Sequence, residues 1–87
     1  MTIGGSFCKE HREELLHLVK NEEARAKAEH PLERIIMIDE QDDSVLITTT
    51  DIHLARGIGE ALHHAYKGEL EFHYNEQENL LRVVWER

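Results

Sequence analysis

Apolar residues recur at three- and four-residue steps over residues 7–29, which is the spacing of one face of a helix. Ser6 is a suitable N-cap for this first helix. Pro31 disfavours helical geometry at His30, so the helix is predicted to end by that residue. The apolar positions are Leu15, Leu16, Leu18, Val19 and Ala26.

Two pairs of short segments have the pattern of β-hairpins. Residues 34–38 and 45–50 are rich in β-branched residues and flank a polar turn. Residues 70–74 and 81–85 alternate apolar with charged side chains and flank an acidic stretch at 75–79. This alternation predicts that one face of the second hairpin is buried and the other is left open.

A second helix is predicted between the two hairpins. Asp51 can cap its first turn, and Gly68 ends it after Lys67. Gly59 projects toward the buried side, where another element can approach closely, whereas Gly57 projects outward. The predicted buried stripe consists of Leu54, Ile58, Ala61, Leu62 and Ala65.

The order of elements is therefore αββαββ, and the predicted fold is α+β. We expect a two-layer sandwich in which a four-stranded antiparallel sheet carries two helices on one face. The other face would present polar residues of the last two strands to water or to a partner. Residues 1–87 are short enough to form a single domain.

Composition limits the classes of partner and compartment. The 18 acidic and ten basic side chains give a formal net charge of −8, which repels phosphate backbones unless the basic residues gather in one place. The single cysteine, Cys8, cannot form an internal disulfide, so a reducing cytoplasm is expected. No apolar run approaches the roughly 20 residues of a membrane span, and no membrane partner is expected.

One stripe of the second helix carries the candidate chemistry. His53 and His64 lie on it, with Arg56 and Lys67 alongside. The two histidines are about 16 Å apart along the helix axis, too far to share one metal ion. Only Glu60 and His64, one turn apart, could share a ligand. No spacing indicates a nucleophile with its base or a paired carboxylate site, so the chain is predicted not to be an enzyme.

The stretches FCKEHREELLHLVKNEEARAKAEHPLERI and TTTDIHLARGIGEALHHAYKGELEFHYNEQENLLRVVWER resemble a family of small, poorly characterised bacterial proteins. Members of this family carry a zinc ribbon with paired cysteines ahead of an αββαββ part. They are grouped loosely with the adaptor that escorts the large ribosomal subunit in archaea and eukaryotes. No paired cysteines precede Cys8, so two alternatives stay open: a C-terminal part of a longer protein, or a lost ribbon.

The resemblance implies a non-catalytic binding module that associates with RNA or a ribosomal component. Zinc is implied as a cofactor only where the ribbon is present. Two alternatives are a protein-interaction or dimerisation domain, which would use the open sheet face or an edge strand, and a small histidine-based metalloprotein. The residues predicted to bind are chosen because positive or switchable charge collects there. They are His53, Arg56, His64 and Lys67 on the second helix, and His73 and Arg82 on the open sheet face.

Overall fold

The computed structural model describes residues 1–75, 77 and 80–87. The predicted acidic stretch at 75–79 therefore lies partly outside the described residues, since 76, 78 and 79 are not among them. The elements, in chain order, are β1 (Thr2–Gly4), α1 (Ser6–Glu10), α2 (Arg12–Glu29), β2 (Ile35–Glu40), β3 (Ser44–Thr49), α3 (Ile52–Tyr66), β4 (Glu69–Asn75) and β5 (Leu80–Glu86).

The described strands form one mixed sheet in the order β2-β3-β1-β5-β4. The α+β class and both hairpins are confirmed, but the prediction of four antiparallel strands is wrong. The difference is β1, which runs antiparallel to β3 and parallel to β5 and so joins the two hairpins. A three-residue strand ending at two glycines is too short to show an alternating pattern, which explains why the sequence did not indicate it.

The single first helix predicted over residues 7–29 is divided into α1 and α2. His11 separates them with non-helical dihedrals, and its ring stacks on Phe7 with the ring centres 4.3 Å apart. The N-cap position of α1 belongs to Gly5, not to Ser6 as predicted, because the chain turns there with φ of +96°. The predicted end is confirmed, since α2 stops at Glu29.

The hydrophobic core lies between the helices and one face of the sheet. Sheet residues that point toward the helices alternate with exposed neighbours, as the period of a strand requires. Trp85 is fully buried, and its indole Nε1 donates a hydrogen bond to the Lys67 carbonyl oxygen at 2.7 Å. The buried set comprises Ile3, Val45, Ile47, Val83 and Trp85 from the sheet, with Cys8, Leu15, Val19, Leu54, Ala55, Ile58 and Leu62 from the helices.

Helix α3 begins and ends where its sequence signals stand. The Asp51 carboxylate accepts a hydrogen bond from the His53 amide at 2.6 Å, which is an N-cap. The chain leaves the helix through Lys67 and Gly68, both at positive φ. Ala65 is exposed, so the predicted buried stripe is one residue too long. In the described part of the chain, no helix has the length and apolar character needed to cross a membrane.

The face of the sheet that points away from the helices is called the open face below. One row of cross-strand neighbours on this face runs across all five strands. The row consists, in order, of Asp39, Leu46, Thr2, Val84 and Glu71. The row shows which side chains of the described strands this face of the sheet presents.

Candidate functional site

Large apolar side chains that remain exposed mark two separate surfaces of the described chain. Phe72 is 38% exposed and Tyr74 is 52% exposed, and both lie on β4. The other surface surrounds β2 and comprises Leu32, Ile36, Met37 and Leu46. Exposed apolar groups that cluster indicate contact surfaces more strongly than single ones do.

Phe72 and Tyr74 lie on the helix side of the sheet. They stand opposite Val83 and Leu81 in the β4–β5 ladder, and Val83 is fully buried. Helix α3 approaches the sheet closely at Gly59, where an added Cβ would lie 3.0 Å from Leu70 Cδ1. Phe72 and Tyr74 follow Leu70 on the same side of β4, and their rings remain partly exposed.

The result is a groove between the start of α3 and β4, called the α3–β4 groove. It has a volume of about 340 Å³ and is open to solvent. Aromatic and aliphatic groups form most of its lining, with one cation and one imidazole. The lining residues are Ile52, His53, Arg56, Phe72, Tyr74 and Leu81.

Arg56 is the cationic group of the groove. Its guanidinium carbon lies 5.4 Å from the centre of the Phe72 ring, within the range of a cation–π contact. Its Nε lies 3.4 Å from Glu60 Oε1, one helical turn away, and both side chains are about three-fifths exposed. The arginine is thus held over an aromatic ring by the helix, and a neighbouring carboxylate balances its charge.

The structure brings together only two of the six predicted binding residues in this groove, His53 and Arg56. His64 lies near the far end of α3, roughly 12 Å along the axis from Arg56, and Lys67 follows the last residue of the helix. Lys67 Nζ donates a hydrogen bond to the His64 carbonyl oxygen at 3.5 Å, which is a local contact at the helix end. Both side chains are exposed.

His73 and Arg82 are cross-strand neighbours on the open face. His73 Nε2 lies 3.2 Å from Glu71 Oε2. Burial first, and the Arg82 guanidinium second, lower the pKa of the Met1 amino group, which donates a hydrogen bond to the Ile47 carbonyl oxygen at 2.8 Å. The six predicted residues therefore occupy three surfaces and do not form one site.

Sequence reasoning missed the aromatic half of the groove. The alternation along residues 70–74 placed Phe72 and Tyr74 with the buried positions, since strand period shows which side a residue faces. It does not show how far a helix covers that side. That coverage depends on where α3 crosses β4, and no residue pattern in the sequence reports it.

Glu60 and His64, the pair that could share a metal ligand site, belong to no larger group of potential ligands in the described chain. Among the residues that the structure describes, no group of three or more histidine, cysteine or acidic side chains is placed to hold a metal ion. Glu60 pairs with Arg56. Cys8 is buried, its thiol donates to the Ile3 carbonyl oxygen at 3.6 Å, and burial raises the pKa of the thiol.

No protein-family model, curated protein or solved structure matches the chain.

Proposed function

We propose that this chain is a non-catalytic binding module that holds a short stretch of single-stranded RNA in the α3–β4 groove. One observation carries the proposal: the exposed rings of Phe72 and Tyr74 lie beside Arg56 in an open groove of about 340 Å³. Aromatic rings and guanidinium planes stack on unpaired bases of any sequence. The family resemblance, with its link to ribosome-associated proteins, favours the same class of ligand.

The net charge of the chain and the charges in the groove limit the electrostatic part of the RNA affinity. A net charge of −8 opposes the long-range attraction of a polyanion, and Glu60 balances the one arginine of the groove. Stacking on the aromatic rings then supplies most of the affinity. With one or two phosphate contacts, the logarithm of the affinity should fall with the logarithm of salt concentration at a slope of about −1.

Removing an aromatic ring tests the stacking. The probe is a fluorescein-labelled oligouridine of about eight nucleotides, followed by fluorescence anisotropy. Phe72→Leu keeps an apolar side chain but loses the ring, and it should weaken binding roughly tenfold, the typical loss for one stacked base. Ile36→Leu, on the other exposed surface, is the matched control and should leave the affinity unchanged.

Three single charge removals locate the site. Arg56→Ala, Lys67→Ala and Arg82→Ala each remove one positive charge, but only Arg56 lines the groove. Arg56→Ala should weaken binding several-fold beyond the other two variants. Equal weakening in all three would mean diffuse attraction and would reject the groove. An oligonucleotide that does not bind at all would reject RNA as the ligand class.

Glu60→Gln gives a change in the opposite direction. It removes the carboxylate 3.4 Å from Arg56 and the local repulsion of phosphate, so RNA affinity should rise about threefold. Glu13→Gln on α2 removes the same charge away from the groove and is the control. An unchanged affinity in Glu60→Gln would show that Arg56 does not contact the ligand.

A further inference from the structure

The open face has an apolar centre with a carboxylate at each side. Leu46 and Val84 flank the short Thr2 side chain of β1, and Asp39 and Glu71 end the same row. Leu46 is 38% exposed, and both acidic residues are exposed. Thr2 and Val84, at the centre of the row, are half-buried, so part of its apolar surface is accessible to solvent.

The dimensions of the row fit one α-helix. Strands in a sheet are about 4.8 Å apart, so the row spans roughly 19 Å from β2 to β4. A helix with its side chains is about 10–12 Å wide and would lie over β1 between the two carboxylates. Of the two β1 residues on this face, Gly4 is buried beside the Glu86 side chain, so the helix would lie over Thr2 with the Glu86 carboxylate at one end.

A cavity at the end of β1 offers a place for an anchoring side chain. The cavity measures about 360 Å³, and Met1 and Leu81 are among its lining residues. Leu46 and Thr48 line it at the open face, and Ile52 and Ala55 of α3 line its inner end. Pockets of this kind receive the apolar anchors of protein interfaces.

The charges around the row select the partner. Besides Asp39 and Glu71, the neighbouring row carries Glu86 opposite Glu69. Arg82, in the row of His73 on the other side, is the single arginine or lysine among the paired open-face positions of the described strands. A second copy of this chain, with its net charge of −8, would bring like charges together. A helix with lysine or arginine on both sides of an apolar stripe would instead meet carboxylates on both sides.

We propose that the open face binds a basic amphipathic helix of a partner protein, laid along β1 with one large apolar side chain in the cavity lined by Leu46 and Thr48. The helix-in-groove mode supplies apolar contact with Leu46 and Val84. Flanking cations pair with Asp39 and Glu71. This surface lies on the other side of the sheet from the α3–β4 groove, so the inference does not depend on RNA binding.

A designed peptide tests the proposal. The probe is a helix of about 14 residues, roughly 21 Å long, with leucine on one stripe and lysine on both flanks. Binding is measured by isothermal titration calorimetry. Two control peptides, one with glutamate in place of lysine and one with the same composition in scrambled order, should not bind. Equal binding of either control would overturn the proposal, as would a failure of the first peptide to bind.

Matched variants separate the open face from net charge. Asp39→Asn with Glu71→Gln should weaken the peptide about tenfold, whereas Glu13→Gln with Glu29→Gln, two exposed carboxylates of α2, should weaken it less than twofold. Leu46→Thr should weaken it about fivefold, and Phe72→Thr, at an equally exposed position on the other side of the sheet, is the control. All six substitutions are at exposed positions, and circular dichroism checks that each variant folds. Equal losses in the two charge pairs would overturn the proposal.

Two further measurements test other occupants of the open face. Sedimentation equilibrium should give the monomer mass of 10.2 kDa, and a dimer abolished by Leu46→Thr would assign the face to a second copy. Oligouridine should not displace the peptide. Displacement would show that the face accepts a polyanion, and it would also overturn the proposal.

Discussion

The α3–β4 groove and the open face are both apolar surfaces of one sheet, but they differ in shape and in surrounding charge. The groove is bounded by a helix and carries Arg56 and His53 beside aromatic rings. The open face is flat at its centre, and carboxylates lie at both sides of it. In a chain with a net charge of −8, the placement of a few charges therefore favours different partners on the two sides.

The largest expected effect comes from β1, which supports both surfaces. Ile3 is fully buried, and its strand joins the two hairpins. Ile3→Ala should lower the free energy of unfolding by about 3 kcal/mol through lost burial and a residual cavity. Urea denaturation followed by Trp85 fluorescence and circular dichroism measures it. Ile36→Ala, at an exposed position, should change stability by less than about 0.5 kcal/mol.

If the two probes gave separate transitions in Ile3→Ala, the hairpins would unfold independently. That result would contradict the role of β1 as the strand that couples the groove to the open face.

The next prediction concerns the edge of the sheet at β2. The Glu23 carboxylate of α2 accepts a hydrogen bond from the Ile35 amide at 2.6 Å and covers the edge at β2. Glu23→Ala should lower the free energy of unfolding by about 1–2 kcal/mol and increase association of the protein at high concentration. Chemical denaturation and light scattering measure the two changes.

Glu14→Ala, also on α2, is the control for this edge. The Glu14 carboxylate is exposed and lies 3.5 Å from His11 Nδ1, and removing it should lower the free energy of unfolding by less than about 0.5 kcal/mol. Oligouridine binding in the groove should be unchanged in both variants. A Glu23→Ala protein as stable as the parent would show that this hydrogen bond adds nothing at the edge.

Two glycines of α3 should respond in opposite directions. Gly57 has open space around an added Cβ, so Gly57→Ala should raise stability by about 1 kcal/mol. At Gly59 the added Cβ would lie 2.9 Å from Val83 Cγ1, so Gly59→Ala should lower stability by about 1 kcal/mol as the helix shifts from the sheet. Thermal denaturation of both variants measures the difference. Stability changes of the same sign in the two variants would contradict the close approach of α3 to the sheet at Gly59.

The smallest expected effect concerns the core below β1. Burial raises the pKa of the Cys8 thiol, so the folded protein favours the protonated form. The contribution of the buried thiol to the free energy of unfolding is fully present below about pH 8.5, the ordinary pKa of a thiol. It is lost as the pH rises through the raised pKa of the folded protein. The difference between the unfolding free energies of the parent and Cys8→Ala, measured from pH 7 to pH 10, should show this decline. A constant difference would contradict it.

Part of the candidate site was predictable from the sequence. The polar stripe of the second helix indicated His53 and Arg56, which both line the α3–β4 groove, because helical period places residues three apart on one side. His73 and Arg82, expected on the open sheet face, lie on the other side of the sheet from this groove. Charge and exposure alone do not show which of the predicted binding residues lie on the same surface.

Local signals by themselves determined the α+β class, both hairpins and the limits of α3, because caps, glycine stops and alternating patterns act over a few neighbouring residues. Only the tertiary structure decided that Thr2–Gly4 forms the middle strand and that His11 interrupts the first helix. It also decided that α3 leaves Phe72 and Tyr74 exposed. These features depend on contacts between residues distant in the chain, and those contacts leave no periodic trace in the sequence.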